Sequence, residues 1–171
     1  MKSPRGADRA ELLAAVRWFL ERIPEVPGVE RVELVGSLAT DKPDPKDLDL
    51  LVTVGAGADL TELAALGRKV LGRRKTGTWG ADLFVVEDGR CLGRTCNYRE
   101  PHPRVRCGRC RCVPERPFLC DTSGAFTVDV GALTGSGVLL WPQFQAAKDV
   151  PGDVVAALKF SPPVPKGIRC D

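Results

Sequence analysis

The chain has 171 residues and a mass of 18.5 kDa, with 43 % apolar and 27 % charged residues and a mean hydropathy of −0.10. That is enough to bury a core of its own, and no apolar run approaches the ~18–20 residues of a membrane span, so no spanning helix and no membrane partner are expected. The net charge of +3 comes from 25 Lys and Arg against 22 Asp and Glu and by itself points to no partner class.

Met1 to Asp8 leads straight into a charged amphipathic segment with no secretory h-region, so a cytoplasmic location is expected. Asp8-Arg9-Ala10-Glu11 has the form of a capping box. Leu12, Leu13, Val16, Phe19, Leu20 and Ile23 then recur at helical spacing until Pro24 and Pro27, which predicts a helix of roughly four turns with one buried face. Val29 to Val35 reads as a strand broken at Gly36. Thr40 to Lys46, with Pro43 and Pro45, reads as loop. Leu48 to Val54 is nearly all apolar, as a central strand would be. Asp59 or Thr61 is placed to cap a helix with Leu63, Leu66, Val70 and Leu71 on its apolar face, ending near Gly72. A Thr-Gly-Thr-Trp-Gly loop over 76–80 leads to a strand from Ala81 to Val86, closed by Glu87-Asp88-Gly89. The order is helix, strand, short helix or turn, strand, helix, strand.

The next zone differs in composition. Arg90 to Arg116 holds eight arginines against two acids, Glu100 and Glu115, a net +6 that leaves −3 for the rest of the chain. Six of the seven cysteines, Cys91, Cys96, Cys107, Cys110, Cys112 and Cys120, fall within thirty residues. In a chain expected to be cytoplasmic, such a cluster suggests a metal site before disulfides. Cys107-Gly108-Arg109-Cys110 is a C-x2-C knuckle, and Cys96, His102, Cys107 and Cys110 form the expected zinc set, with Cys112 or Cys120 as substitutes. The alternative is a group of reduced, partly buried thiols. The arginines suit phosphates of a nucleic acid, although Tyr98 and Phe118 are the only aromatics there for stacking. No sustained period of either kind is visible from Cys91 to Cys120. Beyond it, Ala125 to Val130 resembles a short strand, Val138 to Leu140 a strand or helix start, and Asp153 to Phe160 a final helix. Trp18, Trp79 and Trp141 read as core or lid residues. Trp79, three residues before Asp82 in a Gly-flanked loop, is a candidate to stack on a base.

Three aspartates carry the chemistry. Asp47 and Asp49 open one strand and, one residue apart, point to the same face. Two carboxylates that close repel unless a cation lies between them. Asp82 is the only charge in Ala81-Asp82-Leu83-Phe84-Val85-Val86. The Gly36-Ser37 turn ends the preceding strand, where free backbone N–H groups suit a phosphate. Gly36-Ser37, nine residues, Asp47-Leu48-Asp49 and the later lone Asp82 resemble the nucleotidyltransferases of the DNA polymerase beta superfamily, over about Arg31 to Val86. The resemblance implies an α/β (α+β) fold with a mixed sheet flanked by helices. It also implies that Asp47, Asp49 and Asp82 bind two catalytic Mg²⁺ ions, that Asp82 helps activate the attacking hydroxyl, and that Gly36 and Ser37 hold the nucleotide's phosphates. The chain departs from the pattern in having Leu38-Ala39-Thr40-Asp41-Lys42 where many members follow Gly-Ser with a basic residue and a second glycine. Lys42, Lys46, Arg73, Arg74 or Lys75 are the candidates to replace that cation.

The expected organisation is a nucleotidyltransferase-like core over 1–90, a Cys- and Arg-rich irregular insert over 91–120, and a strand and helix over 121–171 that complete the domain. The expected function is transfer of a nucleoside monophosphate from an NTP to a hydroxyl of an RNA, a protein or a small molecule. The rival is an idle site on the same fold, binding a protein or nucleic acid through the basic insert.

Overall fold

The computed structural model describes residues 8–75, 79–97, 118–120 and 137–159. Asp8 caps helix α1 (Arg9–Leu20), its side chain accepting from the Ala10 N–H at 3.0 Å. The helix stops sooner than the apolar spacing predicts. Pro24, which disfavours helix before it, stands in a separate 3₁₀ turn, Ile23–Glu25, that still delivers Ile23 to the core. Strand β1 (Val29–Val35) follows, then a 3₁₀ turn at Ser37–Ala39, strand β2 (Asp47–Val54), helix α2 (Thr61–Leu71) and strand β3 (Gly80–Glu87). Asp59 receives both the N–H and the hydroxyl of Thr61 and so caps α2 from just outside it.

The stretch expected to be irregular begins with a strand. Asp88 and Gly89, both at positive φ (48° and 72°), make the two-residue turn of a hairpin, and β4 (Arg90–Thr95) returns antiparallel along β3. Asp-Gly between alternating runs is the sequence signal for this hairpin, and it outweighs the lack of a long period in the arginine-rich stretch. Strand β5 (Leu119–Cys120) pairs with β4. Strands β6 (Val138–Trp141) and β7 (Gln145–Ala146) and helix α3 (Gly152–Leu158) complete the described elements. The short strand expected over 125–130 lies outside the described residues.

The result is a mixed α+β architecture: one seven-stranded sheet in the order β5-β4-β3-β2-β1-β6-β7. Among the described strands only β2 and β3 run parallel, joined by the α2 crossover that parallel strands require. Side chains alternate across the sheet. One face, with Val32, Leu34, Leu48, Leu50, Val52, Leu83 and Val85, packs against Leu12, Val16, Phe19 and Leu20 of α1, Leu63 and Val70 of α2, and Val154 and Leu158 of α3 in a single core. Arg9 pairs with Asp153 and ties α1 to α3. The other face carries a small apolar cluster, Val35, Leu51 and Val86 with Phe84 packed against it, and alongside it Arg31, Glu33, Asp47, Asp49, Asp82 and Arg94. No helix among the described residues is long and apolar enough to cross a membrane.

Thr95 points to the helical face and is 2 % exposed, and its hydroxyl has no hydrogen-bond partner among the described residues. A Cβ built on Gly67 of α2 would lie 3.4 Å from that hydroxyl. Burying an unpartnered hydroxyl costs about 1–3 kcal/mol. Thr95→Val, of nearly the same shape, is therefore expected to raise the unfolding free energy by about 1 kcal/mol in a urea titration.

Candidate active site

The site is built on the parallel pair. The β2/β3 register sets Asp47 opposite Gly80 and Asp49 opposite Asp82, so all three aspartates share the face away from the helices. Asp47 is exposed, and its Oδ1 accepts the Gly80 N–H at 3.0 Å, a bond across the mouth of the pair. Asp82 is held by Arg94 of β4, whose Nη1 lies 2.9 Å from one carboxylate oxygen and 3.0 Å from the other. Asp49 forms no hydrogen bond or ion pair among the described residues. Burial, then the charges of Asp82 and Asp47, push its carboxyl from the ordinary 3.8 up to about 6.

Gly36 closes the site from β1. Val35 pairs with Asp49, so the residue after it passes directly beside the aspartate. Gly36 has φ +71°, and a Cβ there would overlap Asp49 Oδ2. A side chain at this position would meet both a strained backbone and the carboxylate. Ser37, half-buried, opens the 3₁₀ turn, and its carbonyl accepts from the Thr40 N–H and hydroxyl. The residues singled out by motif, Gly36, Ser37, Asp47, Asp49 and Asp82, thus converge on one end of β1, β2 and β3.

The loop that enters β3 is anchored from behind. Glu11 Oε1 accepts from the Lys75 N–H at 2.6 Å and from Trp79 Nε1 at 3.0 Å, while Arg74 donates to the Trp79 carbonyl at 3.1 Å. Glu11, expected in a capping box, thus also reaches Lys75 and Trp79. Trp79 is 1 % exposed and belongs to the main core. That overturns its candidacy as a base-stacking residue, since its ring faces are packed and its one polar atom is bonded. Trp18 is half-buried, with the guanidiniums of Arg22 and Arg73 over its ring at 4.0 and 4.7 Å. Trp141 is half-buried and packs against the core.

Two residues of this face escape the motif. Arg94 is the cation beside the carboxylates. Among the five candidates for that place, Arg73 lies over Trp18, Arg74 donates to the carbonyls of Leu71 and Trp79, and the Lys75 N–H is bonded at Glu11. Lys42 and Lys46 are exposed and form no ion pair with the aspartates. Glu33 is the second: 5 % exposed, it pairs with Arg31 at 3.0 Å on the same face. No local pattern singles out Glu33, since β1 also carries Glu30 and Arg31.

In donor chemistry the face fits a hard divalent cation. It offers carboxylate oxygens, which Mg²⁺ prefers, and a bare, part-buried Asp49 between two like charges, a repulsion that a cation relieves. The described residues contain no three His, Cys, Asp or Glu side chains already spaced to hold a metal, and Asp82 is engaged by Arg94. Of the expected zinc set, Cys96 is described; it is 6 % exposed, and its backbone N–H donates to the Phe118 carbonyl at 2.7 Å. His102, Cys107 and Cys110 lie outside the described residues, as do Cys112 and six of the eight arginines. Cys120 ends strand β5.

A carboxyl whose folded value is raised favours the folded state most while it is protonated, so this contribution declines as pH rises from about 4 through 6. Removing the charge should therefore stabilise the metal-free protein at higher pH. Asp49→Asn in EDTA is expected to raise stability by about 1–2 kcal/mol at pH 8, after allowance for partial exposure, and to leave it unchanged at pH 3.5. Melting curves at the two pH values measure this.

Comparison of the chain with protein-family models, with curated proteins and with solved structures finds no match in any of the three.

Proposed function

We propose that the chain is a divalent-cation-dependent nucleotidyltransferase, moving a nucleoside monophosphate from an NTP to a hydroxyl acceptor. The observation that carries this reading is the register of the parallel pair. It sets Asp49 beside Asp82, with Asp47 on the same face and the positive-φ Gly36 against Asp49.

Nucleotidyl transfer is an in-line displacement. The acceptor oxygen bonds to the α-phosphorus as the bond to the β-phosphate oxygen breaks, pyrophosphate leaves, and the hydroxyl gives up its proton. Little covalent work falls to the protein; positioning and charge are what it must supply. Asp47 and Asp49, with Asp82, are the residues that would hold Mg²⁺, which when bound neutralises charge on the entering and leaving oxygens. Asp47 is oriented for this by the Gly80 N–H, and Asp49 by the close approach of Gly36. Asp82, once free of Arg94, is the carboxylate placed to take the proton of the acceptor hydroxyl. The Gly36-Ser37 turn is where phosphate oxygens would find backbone N–H groups. The acceptor class is left open among RNA, a protein side chain and a small molecule.

One observation favours a second reading, an idle site on a binding module: Asp82 is already neutralised by Arg94. Titration of ATP and the other three NTPs into the protein separates the two. The enzyme reading expects heat of binding with Mg²⁺ present, none in EDTA, and none with the Asp47→Asn/Asp49→Asn variant. Absence of binding by every NTP would instead favour the binding module, with the arginine-rich segment as its contact for a protein or nucleic acid.

Zinc belongs to the same proposal as the organiser of the Cys-rich segment, held among Cys96, His102, Cys107 and Cys110. It is supported by the C-x2-C spacing and by the burial of Cys96 beside the end of β4. Protein purified without a histidine tag is expected to carry close to one equivalent of zinc by elemental analysis, and Cys107→Ser to lose it.

A further inference from the structure

Arg94 is the charged group at the site that neither the motif nor the reaction as written uses. We propose that it is an exchangeable counter-cation. Its guanidinium holds Asp82 while no divalent cation is bound, and a divalent cation that takes Asp82 releases Arg94 to bind the phosphate chain of the nucleotide. The second half rests on the nucleotidyltransferase reading; the first half does not.

The contact is of a kind that exchanges. A single nitrogen, Nη1, reaches both oxygens of Asp82, at 2.9 and 3.0 Å. Nη2 and Nε form no hydrogen bond among the described residues, so donors of the planar fork remain for a phosphate. The two side chains are 33 % and 27 % exposed, so water competes for both partners and the pair is worth only a few-fold in an equilibrium. A divalent ion sees more charge. Asp47, Asp49 and Asp82 present three carboxylates, of which the guanidinium satisfies one.

The placement of Arg94 depends on a specific irregularity. In the β3/β4 hairpin Glu87 pairs with Arg90 and Val86 with Cys91, but Val85 pairs with Gly93 and Phe84 with Arg94. The extra residue, Leu92, is a bulge. Without it Arg94 would face Leu83 and point into the helical core, because a one-residue shift moves every side chain to the opposite face. The bulge delivers Arg94 to the carboxylate face, beside Asp82.

If one guanidinium serves Asp82 and the phosphate in turn, divalent cation and polyphosphate must bind with positive coupling. The test uses the full chain stripped with EDTA, titrated calorimetrically with Mn²⁺ and then with inorganic triphosphate in Mn²⁺, for wild type, R94Q, R94K and R90Q. Arg90 serves as a control of equal charge on the same strand. R94Q is expected to bind Mn²⁺ about fivefold more tightly than wild type, with R94K between them and R90Q unchanged. R94Q is also expected to bind triphosphate in Mn²⁺ about tenfold more weakly. Equal Mn²⁺ affinity in wild type and R94Q overturns the proposal, as does a gain reproduced by R90Q. Should R94Q not fold, R94K carries the same comparison. Tighter Mn²⁺ binding by R94Q without binding of triphosphate or any NTP would leave the exchange at Asp82 standing and remove the nucleotide reading. Persistent Mg²⁺-dependent NTP binding with unchanged Mn²⁺ affinity would remove the exchange alone.

Discussion

Two carboxylates sit side by side on neighbouring strands, Asp49 on β2 and Asp82 on β3, with Asp47 two residues away on the same face. Like charges in register oppose the strand pairing that holds them together, and the surroundings of each aspartate answer that cost differently. Asp82 has a guanidinium, and Asp47 has a backbone N–H and water. Asp49 has neither, and its carboxyl responds by holding its proton to about pH 6. This group stands at the end of the one parallel strand pair among the described residues, where it costs stability in the metal-free protein. Perturbed carboxylates cluster at functional sites, which is why the proposed function is built on this one.

Much of the architecture reads as support for that arrangement. The β2/β3 pairing needs the α2 crossover, and α2 lies on the helical face with α1. From α1, Glu11 reaches the segment entering β3 and receives Trp79 Nε1. The Trp79 ring fills the core, and the next residue, Gly80, donates to Asp47. Glu11, Trp79, Gly80 and Asp47 thus link the first helix to the first carboxylate through one continuous run of contacts. On the other flank β1 contributes Gly36, where the absence of a side chain lets the backbone pass against Asp49. The buried part of the helical face is apolar apart from Thr95, whereas the opposite face mixes a small apolar cluster with Glu33, Arg31, Arg94 and the three aspartates. That division separates stability from chemistry on the two sides of one sheet.

The two functional readings differ in what Arg94 is for. In a binding module it is a permanent partner that silences Asp82. In an enzyme it is a positive charge held at Asp82 and delivered from the neighbouring strand β4. The partial exposure of the pair and the donors left over on the guanidinium fit the second role better, since a permanent buried pair would be expected to use the whole fork.

How much of this was legible before the structure depends on the range of the interaction. Helix α1, strand β1, the loop after it, strand β2, helix α2 and strand β3 follow from periodicity and stop signals, because those patterns record burial along a single element. Asp47, Asp49 and Asp82 stood out for a local reason as well: each is a charge at or within an apolar strand. Trp79 read as a core or lid residue that was also a candidate to stack on a base, and only a contact across 68 positions of chain, which no local pattern records, decides for the core. Arg94 was hidden for a subtler reason. The Asp88-Gly89 turn announces a hairpin, but its ideal register would bury Arg94 against the helices. Only the bulge at Leu92 turns it to the aspartates. The sequence by itself determined which residues are chemically unusual and which elements carry them, since these are properties of short stretches. The tertiary structure alone decided which charges meet, because that depends on strand register, where a shift of one residue exchanges the faces of the sheet.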